Sequence, residues 1–108
     1  MSDEIITTTL TVDSLGDHIL VSTPGTGKYL NLFSLGVSNT SSTDVIVRVK
    51  EGSGFPRWVM KLASNGGGYV LDLSEPWKLP LDTGLHVEID TAVTDVRFNC
   101  RTSVTGLG

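Results

Sequence analysis

Hydrophobicity in this chain alternates residue by residue and never settles into a helical stripe. Val45, Val47 and Val49 share one side of a run whose other side carries Asp44, Arg48 and Lys50. Leu85, Val87 and Ile89 alternate with His86, Glu88 and Asp90, and Val96, Phe98 and Cys100 with Arg97, Asn99 and Arg101. A period of two belongs to strands with one buried and one wet face, which favours antiparallel pairing. Such runs recur about every eight to twelve residues, divided by Gly, Pro, Asn and Asp, the pattern of a β-sandwich or barrel. Eight strands are expected: Ile5–Val12, His18–Ser22, Lys28–Asn39, Asp44–Glu51, Arg57–Ala63, Tyr69–Leu73, Leu85–Asp90 and Val96–Thr102.

The connections carry their own expectations. Asn65-Gly66 is a strong hairpin signal, because both residues accept positive φ. The glycines that follow could also form an anion nest, but no basic side chain stands near them in sequence. Thr91–Asp95 is short enough to join the last two strands as a hairpin, which would set Glu88 and Asp90 against Arg97 and Arg101. Ser74–Leu81 holds two prolines and reads as a crossover outside the sheets.

One stretch imitates a nucleotide-binding loop. Pro24-Gly25-Thr26-Gly27-Lys28 matches the heart of a P-loop, but Ser22 stands where the first Gly belongs and Tyr29 where the magnesium hydroxyl belongs. The loop must also open a helix. Here Tyr29, Asn31, Phe33, Leu35 and Val37 alternate as in a strand, so the motif is read as turn chemistry.

With 108 residues the chain has room for one domain. No apolar run approaches membrane-spanning length, so no membrane partner is expected. MSDEII lacks the basic and apolar regions of a secretory signal, and the single Cys100 excludes an internal disulfide; folding in a reducing cytosol is expected. The net charge is −4 without a basic stripe, which argues against nucleic acid. Only 19% of residues are charged, and Ser and Thr together outnumber them. Such a surface suits faces covered by partners, and equally an ordinary β-protein.

Nothing selects a catalytic centre, a metal or a cofactor. His18 and His86 stand on polar faces without a partner at ligand spacing, and both read as solvated surface residues. Cys100 follows an inward register and reads as a small buried hydrophobe. The acids fall mostly at turns, and no short loop gathers enough of them for calcium. Asn39-Thr40-Ser41 is a formal glycosylation sequon, without consequence in a cytosolic chain. The chain is therefore not expected to be an enzyme.

Candidate interaction residues lie elsewhere. Phe55, at a glycine-rich tip, and Trp77, between prolines, are either plugs folded onto the sandwich or anchors for a partner. Ile5, Ile6 and Leu10 belong to a β-prone segment of weak register that could pair with a neighbouring chain. Ile46 and Val70 add outward apolar surface. Residues 1–12 are expected as an N-terminal arm or edge strand, 13–102 as the sandwich and 103–108 as a flexible tail.

Several stretches also resemble small virion proteins of tailed bacteriophages: YLNLFSLGVSN with VIVRVKEG, the LASNGG turn, the P…L crossover, TGLHV, and AVTDVRFNCR. The resemblance spans about residues 28 to 102 and excludes PGTGKY. It implies an all-β fold, a single antiparallel β-sandwich of jelly-roll type, that decorates or cements a capsid or forms part of a tail. The partners it implies are a major capsid protein or another virion protein. From the surface and the arm, a small ring of three copies is expected, located in the virion and made in the host cytoplasm. A carbohydrate- or receptor-binding module, resting on the loop aromatics, is the alternative.

Overall fold

A computed structural model describes residues 4–52, 54–91 and 93–106. Residues 1–3 of the expected arm and 107–108 of the expected tail lie outside it, as do Ser53 and Ala92. The described chain forms eight strands: β1 (Ile6–Val12), β2 (Gly16–Val21), β3 (Lys28–Asn39), β4 (Val45–Glu51), β5 (Pro56–Leu62), β6 (Gly67–Lys78), β7 (Leu85–Ile89) and β8 (Val96–Gly106). They build two four-stranded sheets, ordered β1-β8-β3-β6 and β2-β7-β4-β5. Every pairing is antiparallel. Only β4 and β5 are both consecutive and paired; every other connection changes sheet. This is the double Greek key of a jelly roll.

Alternation explains the layers. Val45, Val47 and Val49 of β4, Leu85, Val87 and Ile89 of β7, and Val96, Phe98 and Cys100 of β8 all face the space between the sheets and are buried. Leu30, Leu32, Leu35 and Val37 of β3 join them. The phase within β3 differs from the simple alternation expected of it. Between Leu32 and Ser34 the pairing with β8 slips by a residue, so Phe33 is bulged and the inward set changes from even to odd positions. On the other side of β3 the same point matches Leu32 to Trp77 and Ser34 to Asp72, so β6 bows outward between them.

Several connections differ from the sequence expectation. Asn65 and Gly66 do adopt positive φ, 58° and 115°, but the turn passes from β5 in one sheet to β6 in the other. Turn chemistry sets the backbone angles without choosing the strand's next partner. Likewise β7 and β8 lie in different sheets, so no hairpin joins them. Ser74–Lys78 is not a crossover but the end of β6, where Pro76 is tolerated because β6 is an edge strand. Ser103–Gly106, expected in the tail, continue β8 against Lys28–Asn31.

Two buried polar residues pin the turns at one end. Asn39 is fully buried; its Nδ2 donates to the carbonyls of Thr43 (2.8 Å) and Ala63 (3.2 Å), and its Oδ1 accepts from the Ser41 amide. The sequon asparagine is thus a structural brace. Ser41 Oγ accepts from the amides of Thr94 and Asp95, each at 3.0 Å, tying the β3–β4 connection to the segment before β8.

Candidate functional site

Glycine shapes the tip between β4 and β5. Gly52 takes φ 64°, and its amide donates to the Gly84 carbonyl at 2.8 Å, which anchors the base of the loop. Beyond that anchor Phe55 projects from the molecule, 92% exposed. Pro56 then starts β5, and Arg57 and Trp58 follow. With Glu51 and Phe55 these residues line an open hollow of about 450 Å³.

Arg57 is held over two indoles, its guanidinium carbon 5.3 Å from the Trp58 ring centre and 5.0 Å from that of Trp77. The electron-rich rings attract the cation and hold it near both indoles. Among the described residues no carboxylate forms an ion pair with it. The hollow therefore offers an exposed ring, a cation held beside two indoles and one carboxylate within a small space.

The candidate interaction residues divide. Phe55 is free, whereas Trp77 is buried with its ring against Trp58 and belongs to the core. Trp77 as a partner anchor is thus corrected: the opposite sheet supplies Trp58 to cover it. Ile5 and Ile6 are about half exposed, and Leu10 packs partly against the core. Of the two forms expected for this segment, arm or edge strand, Ile6 and Leu10 lie in an edge strand, since β1 pairs with β8 from Ile6 to Val12 and Val12 enters the core. Ile6 and Trp77 share one cross-row of the sheet, through Thr102 and Leu32. Three strand spacings, about 14 Å, divide them, so the structure does not gather these residues into one site. Val70 is largely exposed on the outer face of β6 and Ile46 half-buried on that of β4.

The outer face of the second sheet holds a charge network that spacing alone did not reveal. Asp17 of β2 bonds His86 Nδ1 at 2.7 Å and Lys50 Nζ at 3.0 Å. Glu88 adds contacts to Lys50 and Arg48, and Asp90 to Arg48, near 4 Å. Register explains the grouping, because Arg48 lies opposite Glu88, Lys50 opposite His86, and Asp17 beside Glu88. Glu88 and Asp90 thus pair with Arg48 instead of Arg97 or Arg101, and Arg97 turns to Asp95 at 3.0 Å. His86 is accordingly a hydrogen-bond partner of Asp17 with a largely covered side chain, and not the solvated residue expected. Burial alone would raise the Asp17 carboxyl, but the hydrogen bonds and charges of His86 and Lys50 outweigh it and hold the group below its ordinary value. His86 and Asp17 resemble part of a catalytic dyad, yet the next group along is the Lys50 ammonium, which is not a nucleophile when charged.

The other reactive types have structural settings. His18 Nε2 donates to the Ser14 carbonyl at 2.9 Å. The Cys100 thiol is buried, and burial pushes it up to about 11. Gly25 and Gly27 take φ 112° and 76°, and Lys28 enters strand β3, so PGTGK is a turn between strands. Among the described residues no group of three His, Cys, Asp or Glu side chains could hold a metal, and no helix is long and apolar enough to cross a membrane.

Neither a protein-family model nor a curated protein matches the sequence. Solved structures do match the fold. A chain from a virus-like particle of the extra small virus of the giant freshwater prawn Macrobrachium rosenbergii matches with a TM-score of 0.52 and 8% identity, over 96% of this chain and 79% of that one. The coat protein of Tobacco streak virus matches with a TM-score of 0.46 and 14% identity, over 95% and 88%. A protein of Bacillus endospore appendages, which are disulfide-linked pili, matches with 0.49 and 11% identity, over 100% and 93%. At these identities the likeness is one of fold.

Proposed function

We propose that this chain is a structural protein of a virion, a decoration or cement unit that docks on the capsid lattice through its β4–β5 tip. The observation that carries this reading is Phe55, a large ring 92% exposed on a loop anchored by the Gly52–Gly84 bond. An isolated aromatic held away from its own core at such a tip has the form of an anchor for a partner's pocket. The jelly-roll fold and its likeness to the prawn virus chain support a place in a particle. The partner is the major capsid protein or another virion protein, and the location is the virion, reached from the host cytoplasm. In a ring of three, each copy would present one tip, and weak contacts would reinforce one another through effective concentration. The role is structural and not catalytic.

Co-sedimentation of purified protein with shells that lack it tests the reading. Native protein should saturate the shells, and Phe55→Ala should lower retention without changing thermal stability. Unchanged retention would overturn the tip as anchor, and no retention of either protein would overturn the decoration role.

The hollow beside Phe55 favours one other reading, a glycan-binding module. Sugar rings stack on aromatic faces, while Glu51 and Arg57 could bond their hydroxyls. Binding of glycans to an array, abolished by Phe55→Ala and Arg57→Ala together, would place this reading first.

A further inference from the structure

Four strands end the two sheets, β1 and β6 in one and β2 and β5 in the other. Three of these edges carry devices that discourage pairing. β6 has Pro76, Asp72, Glu75, Lys78 and an outward bow. β5 has Pro56, Arg57, Lys61 and a register shift beside Lys50. β2 has Asp17 and a shift between Ile19 and Val21. Charge, proline and bulges are how sheets protect free edges.

β1 has none of them. Its sequence, ITTTLTV, contains no charge, proline or glycine, and it pairs with β8 in unbroken register from Ile6 to Val12. Among the described residues no strand pairs with its other edge. An unprotected straight edge of this kind is a template for another strand.

We infer that the free edge of β1 pairs with β1 of a second copy, antiparallel, about a two-fold axis at Thr9. The strand is self-complementary about that residue. The axis sets Ile6 against Val12, Thr7 against Thr11, Thr8 against Leu10, and Thr9 against its own counterpart. Each pair joins residues of the same face, so the inward row and the threonine row both continue across the joint. Ile6, half exposed on the inward row, gains cover, and threonines facing each other are favourable cross-strand pairs. A slip by one residue would set inward apolar positions against outward threonines. Two four-stranded sheets thereby become one of eight, through an isologous contact. The contact is independent of the virion role; where rings of three form, it joins one ring to another.

Sedimentation velocity with charge-swapped variants tests the joint. Native protein should sediment as an even number of copies. Thr9→Lys should place two like charges opposite each other and raise the dissociation constant roughly tenfold. Thr9→Glu should do the same, and an equimolar mixture of the two variants should regain the native mass. Thr9 is exposed and lies opposite the neutral Asn99 within its own chain, so circular dichroism should show both variants folded. Hydrogen exchange on native protein gives a second readout: β1 amides on the free edge should exchange faster on dilution below the dissociation constant. A monomer or an odd number of copies would overturn the inference. So would a Thr9→Lys variant of native mass, a mixture that stays dissociated, or β1 exchange independent of concentration. Such results would leave the shell-retention test of Phe55 untouched.

Discussion

Trp58 and Trp77 meet edge to face, with ring centres 4.9 Å apart and planes at 87°. Trp58 comes from β5 in one sheet and Trp77 from β6 in the other, so the contact bridges the sandwich near the β4–β5 tip. Arg57 caps both rings. Truncating Trp77 removes the bridge and opens a cavity. Trp77→Ala should cost about 3–5 kcal/mol, read as a lower urea midpoint. Any loss of docking in this variant would follow its loss of stability.

Phe55 should behave in the opposite way. Its ring contributes little to the core, so Phe55→Ala should leave stability within about 0.5 kcal/mol. Thermal unfolding run beside the Trp77 variant checks the contrast. Equal destabilisation would show the loop aromatic to be a plug.

The different fates of these two aromatics mark the limit of sequence reading. Both stand beside prolines in stretches read as loops, and both could have been plugs or anchors. The difference is made by Trp58, which the chain brings across from the other sheet. Strand faces are local and were legible: the inward sets of β4, β7 and β8 follow directly from alternation. Sheet membership is not local, so Asn65-Gly66 read as a hairpin although its strands part. Partners followed the same rule. Asp17 meets Lys50 and His86 only because β7 lies between β2 and β4, an order that no spacing along the chain records. Phe33 shows a third case, since one bulged residue shifts the whole phase of β3. Pro76 signals a strand breaker locally, whereas the edge position that lets β6 hold it is itself a product of the fold.

Removing residues 1–12 should not leave an intact sandwich. The deletion strips β1 from β8 and removes Val12 from the core. The loss should exceed about 3 kcal/mol, a large part of a typical domain's stability. Circular dichroism and proteolysis should show an unfolded or partly folded chain. Removing residues 1–5, which precede β1, should leave the melting temperature nearly unchanged. A stable sandwich after the longer deletion would show β1 to be dispensable.

Cys100 and Phe98 share the inward row of β8, and both are nearly inaccessible. The burial that pushes the thiol up to about 11 leaves almost no thiolate at neutral pH. A thiol reagent should therefore label native protein far more slowly than protein in denaturant. Phe98→Ala should cost about 3–5 kcal/mol and bring the labelling rate towards the denatured one. Rapid labelling of stable native protein would contradict the inward register.

Asp17 predicts the acid response of the second sheet. Its carboxyl lies below the ordinary 3.8 in the folded state, against desolvation, because His86 and Lys50 bond the charged form. A depressed acid contributes stability above its unfolded value and loses it as pH falls through the folded one. The Asp17 carboxylate should thus be fully charged at neutral pH, and its bonds should weaken below about pH 4. Asp17→Asn should cost about 0.5–1 kcal/mol at neutral pH, a figure discounted because the carboxylate is 35% exposed. Lys50, with a side chain only 8% exposed, keeps Glu88 as a second partner at 3.8 Å, which limits the loss. As pH falls, the native protein gives up the same contribution, so the gap between native and variant should close. Urea unfolding across an acid pH series measures that gap. A difference that stays constant from neutral to acid pH would mean that the carboxylate's charge contributes nothing to the fold.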